Sequence, residues 1–134
     1  MQKDLRLRKN EEFQKVFKKG SSVANRQLVL YVCPNKETDR FRLGVSISKR
    51  VGHAVVRNRL KRQLKEAVKS QEHLISNGYD MIIIVRKPAL HLDFSGLQNS
   101  FKHVLKKTDA FVYGRDKQRN GNSHRYRAPH KRQT

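Results

Sequence analysis

The stretch Gly52-His53-Ala54-Val55-Val56-Arg57-Asn58-Arg59-Leu60-Lys61-Arg62-Gln63-Leu64-Lys65-Glu66 decides how the rest of the chain is read. At about 100° per residue, Val56, Leu60, Leu64, Ala67 and Val68 fall on one arc, an apolar stripe suited to packing on a sheet. Arg57, Lys61 and Lys65 run beside that stripe, one turn apart. Asn58, Arg62 and Lys69 form the next row, and Arg59 lies further round. Eight Lys and Arg occupy residues 49–69 against one acid, Glu66. Like charges at i,i+4 repel by a few tenths of a kcal/mol per pair, and Arg62–Glu66 offsets one such pair at most. A solvated helix face is one account of this row. Its one-sidedness and the Arg-Asn-Arg at its start favour a polyanion site, because guanidinium forks bind phosphate oxygens through paired N–H groups. Asn can donate and accept against a base edge or a 2′-hydroxyl.

The flanking segments set the topology. Phe41, Leu43, Val45 and Ile47 alternate with Arg42, Gly44, Ser46 and Ser48, the period of a half-buried strand. The small, hydroxyl-rich second face suits close approach by another molecule. After the helix and an Asn77-Gly78 turn, Tyr79-Asp80-Met81-Ile82-Ile83-Ile84-Val85 reads as a central strand closed by Pro88. A strand–helix–strand order over 41–85 predicts a crossover and parallel pairing.

Upstream, residues 1–9 alternate basic and apolar residues like an extended arm. Asn10 is placed to cap a helix over Glu11–Lys19 that Gly20 ends, with Phe13, Val16 and Phe17 on one side. Core packing is the plain reading of Phe13 and Phe17. Gln27–Cys33 forms a strand, apolar on both faces, whose outer face with Tyr31 is either covered or open to stacking. Downstream, Asp93 caps a second amphipathic helix carrying Phe94, Leu97, Phe101, Val104 and Leu105, and Gly96 weakens its start. From Gly114 the chain is basic, with Tyr126 almost its only large apolar residue. The expected organisation is a folded domain over 1–113 and a tail over 114–134, either solvated or wrapped on RNA.

A net charge of +20, from 31 Lys and Arg against 11 Asp and Glu in 134 residues, speaks of partners and not of fold. Nucleic acid is favoured over a membrane. The apolar run Met81–Val85 is far short of the ~20 residues of a span, and the N-terminus lacks the apolar core of a signal peptide. With Cys33 the only cysteine, a reducing cytoplasm is expected. The scattered acids suggest no carboxylate pair. The six His show no metal-ligand spacing, and no phosphate-binding glycine loop is present. No catalytic residue and no metal ligand are expected in the protein.

Arg57-Asn58-Arg59-Leu60-Lys61-Arg62, preceded by Gly52-His53-Ala54-Val55-Val56, resembles the signature of bacterial ribonuclease P protein subunits. The likeness extends to Asn10-Glu11-Glu12-Phe13, Ser22-Val23-Ala24-Asn25-Arg26, Leu43-Gly44-Val45-Ser46-Ile47-Ser48-Lys49 and Ile82-Ile83-Ile84-Val85-Arg86-Lys87-Pro88, covering roughly 3–108. The resemblance implies a two-layer α/β (α+β) fold, a small mixed sheet packed by helices. It is similar to the second domain of ribosomal protein S5, with a left-handed β-α-β crossover where the general rule gives a right-handed one.

It also implies a partner, a catalytic RNA that uses Mg²⁺ to remove the 5′ leader from precursor tRNA; no membrane or small-molecule substrate is implied. By the same resemblance, Phe13, Phe17, Tyr31, Arg57, Asn58, Lys61 and Lys65 would meet the leader in a cleft between the first helix and the sheet. Lys49, Arg50, Arg59 and Arg62 would meet the catalytic RNA. A ribosomal protein or RNA chaperone shares the composition but not this combination of motifs. A protein-only nuclease is disfavoured by the missing carboxylate cluster.

Overall fold

A computed structural model of the chain describes residues 6, 7 and 9–112, so the basic segment from 114 and most of the N-terminal arm lie outside the described residues. Helix α1 spans Asn10–Lys19, strands β1, β2 and β3 span Ser21–Ala24, Leu28–Pro34 and Arg42–Ile47, and helix α2 spans Ala54–Lys69. Strand β4 (Tyr79–Val85) and helix α3 (Phe94–Leu105) complete the fold, with short 3₁₀ turns at Glu72–Leu74 and Lys87–His91. The four strands form one mixed sheet in the order β1-β2-β4-β3. β4 pairs antiparallel with β2 and parallel with β3, as the crossover predicted. The architecture is α+β.

Side-chain alternation divides the apolar residues between two faces. Leu28, Leu30 and Val32 of β2, Leu43 of β3, and Met81, Ile83 and Val85 of β4 join Leu60, Leu64, Ala67 and Val68 of α2 with Leu97, Phe101, Val104 and Leu105 of α3 in the main core. The stripe read from α2 is therefore the buried one. A smaller cluster on the opposite face comprises Leu7, Val16, Cys33 and Ile82, with Phe13, Phe17, Tyr31 and Ile84 half-buried against it.

Three local details depart from the sequence reading. Lys9, not Asn10, is the N-cap of α1, and Asn10 is its first helical residue. The cap is made from the other end: the Glu12 carboxylate accepts the Lys9 N–H at 3.1 Å, the return half of a capping box. Gly20 ends α1 with φ −85°, so its glycine is not there for a left-handed turn. A Cβ would lie 2.5 Å from the Val32 carbonyl oxygen, and close backbone approach demands the glycine. β1, whose residues show no alternation, is held by pairing with β2 from Ser21↔Val32 to Ala24↔Val29.

The turn between β1 and β2 is set by Asn25. Its Oδ1 accepts the N–H groups of Gln27 (2.9 Å) and Leu28 (2.8 Å), while Nδ2 donates to the Ser100 carbonyl and hydroxyl oxygens at 3.0 Å, tying the hairpin to α3. Gly78 has φ +82°, a left-handed conformation that confirms the expected Asn77-Gly78 turn. Asp93 caps α3, its Oδ1 accepting the Gly96 N–H at 2.8 Å.

Candidate nucleic-acid interface

α1 lies over part of the sheet face opposite α2 and α3 and leaves the rest open. Across that face the register aligns Ser22, Tyr31, Ile82 and Gly44 in one row, and Ala24, Val29, Ile84 and Ser46 in the next. Ile82 is fully buried, whereas Val29 and Ile84 are half-buried and Ala24 and Ser46 are exposed. The floor thus passes from sealed to open over one step of the strands.

Three aromatic rings border the open part. Phe17 and Tyr31 meet edge to face with centroids 4.9 Å apart at 85°, and Phe13 lies 6.5 Å from Phe17. All three keep part of their surface in water, so they are both packing residues and an accessible aromatic row. Gly44 is what lets Phe13 down onto the sheet: a Cβ there would stand 2.5 Å from the ring carbon Cζ. The small face of β3 therefore receives the protein's own ring at Gly44, while Ser46 and Ser48 remain exposed.

The basic helix supplies two surfaces. Arg57, Lys61 and Lys65 are half-buried along one flank, and Asn58, Arg59 and Arg62 are exposed further round. Lys49 and Arg50 are exposed in the turn before α2, where Arg50 N–H reaches Ser48 Oγ at 3.3 Å. Burial, then the neighbouring charges of Arg6 and Lys61, hold the Lys65 ammonium below its ordinary value.

Arg6 is a residue that the sequence reading did not single out. The arm pairs in parallel with β3 through an Arg6↔Leu43 bridge, and Leu7 N–H donates to the Leu43 carbonyl at 3.0 Å. Leu7 is buried in the smaller cluster, so its neighbour Arg6 is delivered beside Lys65. Arg6 Nε is buried with no hydrogen-bond partner among the described residues, a donor that an anion would satisfy. The alternation of basic and apolar residues in the arm was the only signal available for it.

Two acids near this face, Asp80 and Glu12, are engaged in structure. Asp80, 3% exposed, accepts from Arg42 Nε and Nη2 and from Asn35 Nδ2, and Arg42 Nη1 donates to Glu12 at 2.9 Å. Donating to the Asp80 carboxylate raises the Arg42 guanidinium above its ordinary value and outweighs its desolvation. Cys33 is buried, and its thiol is pushed above the ordinary value by burial first and the Asp80 charge second, with Lys15 and Lys19 opposing. Among the described residues no three His, Cys, Asp or Glu are grouped to hold a metal ion, and no helix is long and apolar enough to cross a membrane.

A half-open aromatic row, a cationic helix flank and a sheet floor define the class: a small α+β protein with aromatic rings and cations gathered beside one open sheet face. Comparison with known proteins narrows it. Residues 1–109 match the family model described as Ribonuclease P. The ribonuclease P protein component of Staphylococcus aureus (strain Mu3) is 48% identical over 112 residues, covering 83% of this chain and 96% of that protein. That of Shouchella clausii is 49% identical over 119 residues, covering 87% and 98%. The solved Staphylococcus aureus RNase P protein superposes with a TM-score of 0.71 at 50% identity, over 76% of this chain and 93% of that one. The Thermotoga maritima protein gives 0.70 at 31% identity, over 76% and 96%. The chain belongs to the ribonuclease P protein family. It is a protein component of the tRNA-processing endoribonuclease ribonuclease P, and its partner is an RNA subunit.

Proposed function

We propose that this protein binds the single-stranded 5′ leader of precursor tRNA in the cleft under α1, while the RNA subunit performs the Mg²⁺-dependent hydrolysis. The observation that carries the reading is the half-open row of Phe13, Phe17 and Tyr31 beside open sheet floor. Bases stack on such rings for about 1–3 kcal/mol each without regard to sequence. A leader that differs from one tRNA gene to another needs that tolerance. Arg57, Lys61, Lys65 and Arg6 supply a phosphate track, and the buried Arg6 Nε, without a partner among the described residues, is satisfied when a phosphate oxygen arrives. Asn58 stands exposed at the border between this track and the outer face of α2. Lys49, Arg50, Arg59 and Arg62 face the RNA subunit in this reading, and a cytoplasmic location belongs to it.

Mg²⁺ is used by the holoenzyme, and the protein's part is to raise occupancy and affinity at low concentration of the ion. The test is leader removal from a precursor tRNA at low Mg²⁺ by the protein alone, the RNA subunit alone, and the two together. Strong cleavage only in the mixture is expected. Cleavage by the protein alone would transfer the chemistry to it, and no stimulation would reduce it to a general RNA binder.

A further inference from the structure

Two large apolar side chains stand exposed among the described residues, Val55 at 81% and Phe94 at 38%. Both lie toward the outer face of α2. Val55 precedes Arg62 by seven residues, two helical turns back along one face. Phe94, the first residue of α3, stands across from that face, and with Arg62, Gln63, Lys65 and Glu66 it lines an open groove of about 480 Å³. Phe94 is outside the core and outside the side chains packed against it. Its backbone is nonetheless fixed, because Asp93 caps the helix on which it sits.

The chemistry of the lining selects an occupant. An aromatic ring offers a stacking surface, Arg62 and Lys65 offer charge for a phosphate, and the Gln63 amide and Glu66 carboxylate can address the donors and acceptors of a base edge. The groove continues the exposed Arg59 and Arg62 surface on a chain of net charge +20, which fits a polyanion better than a protein surface. We propose that it receives one unpaired nucleotide of the RNA subunit, the base stacked on Phe94 and the phosphate held by Arg62. This rests on the reading of Arg59 and Arg62 as facing that RNA, and adds a stacking site on Phe94 that borders the leader track at Lys65.

The chain has no tryptophan, so Phe94→Trp installs a single reporter. Titrating the full chain with ribonuclease P RNA should quench its emission and saturate at the binding stoichiometry. Phe94→Ala should weaken binding by ~5- to 100-fold with the salt slope unchanged, because stacking releases no counterions, whereas Arg62→Ala should flatten the slope by about one charge. Phe94→Leu keeps apolar bulk without a π face and should resemble Phe94→Ala. Unquenched Phe94→Trp emission at saturating RNA overturns the proposal whether or not the alanine variant folds. Unchanged affinity of a folded Phe94→Ala does the same and leaves the leader reading intact. Self-association lost in Phe94→Ala, with RNA affinity kept, would make the groove a protein contact instead. Failure of the unaltered protein to bind the RNA overturns both readings.

Discussion

Arg42 and Asp80 stand directly opposite each other on the parallel strands β3 and β4 and join at two points, Nε to Oδ1 and Nη2 to Oδ2, each at 2.9 Å. The same guanidinium reaches Glu12 in the first turn of α1, so one side chain ties the sheet to the helix that roofs the cleft. Asp80→Ala removes the buried partner and strands Arg42 and Asn35. It should cost about 3 kcal/mol, read as a lower urea midpoint. Glu12→Gln removes a more exposed partner and should cost about 1 kcal/mol or less. A larger loss for Glu12→Gln than for Asp80→Ala would contradict this ranking.

Gly44→Ala should tilt Phe13 off the sheet, since the new methyl would fall 2.5 Å from the ring. Precursor binding should weaken, and Phe13→Ala in the same chain should relieve the clash and restore the lost stability without restoring binding. Additive stability losses in the double variant would show that the ring and the glycine are not in contact.

Phe17→Ala deletes the ring that meets Tyr31 edge to face. Affinity for precursor tRNA should fall ~5- to 100-fold while that for mature tRNA holds, because only the precursor carries a leader. Equal losses on both would argue against a leader cleft.

Lys65 carries a charge that the free protein holds at a cost. Its folded-state value is depressed, so the unfolded chain binds more protons just below the ordinary lysine range, and stability rises with pH through that window. Lys65→Met should therefore raise the melting temperature of the free protein at neutral pH and abolish that alkaline rise. RNA binding should weaken and its salt slope should flatten by about one. A lowered melting temperature would mean that Lys65 stabilises the free fold.

The periodic elements were legible before the structure. The α2 stripe, the alternation of β3 and the apolar run of β4 each impose their burial locally, and the parallel pairing followed from their order. What escaped depends on distant partners. Ser21–Ala24 has no pattern of its own and is a strand only because β2 lies beside it. Arg6 enters the cationic track because Leu7, a residue away, is anchored on β3. The cap of α1 shifted to Lys9 because Glu12 reaches back to a main-chain N–H, which any residue can offer. The aromatic residues could be read only as core from spacing. Their dual state, packed yet accessible, comes from how far α1 extends over the sheet.

The strand order β1-β2-β4-β3 has a consequence for synthesis. β2 and β3 do not pair with each other, and both wait for β4, the last of the described strands to leave the ribosome. Until Val85 emerges, β2 and β3 each offer an unsatisfied edge, and α1 has the β1–β2 hairpin but not the whole floor to lie on. Ile82 and Ile84, which complete the cleft, arrive in that same final strand. A chain cut short before Val85 leaves β2 and β3 unjoined, so the continuous floor is itself a certificate that translation has passed the strand between them.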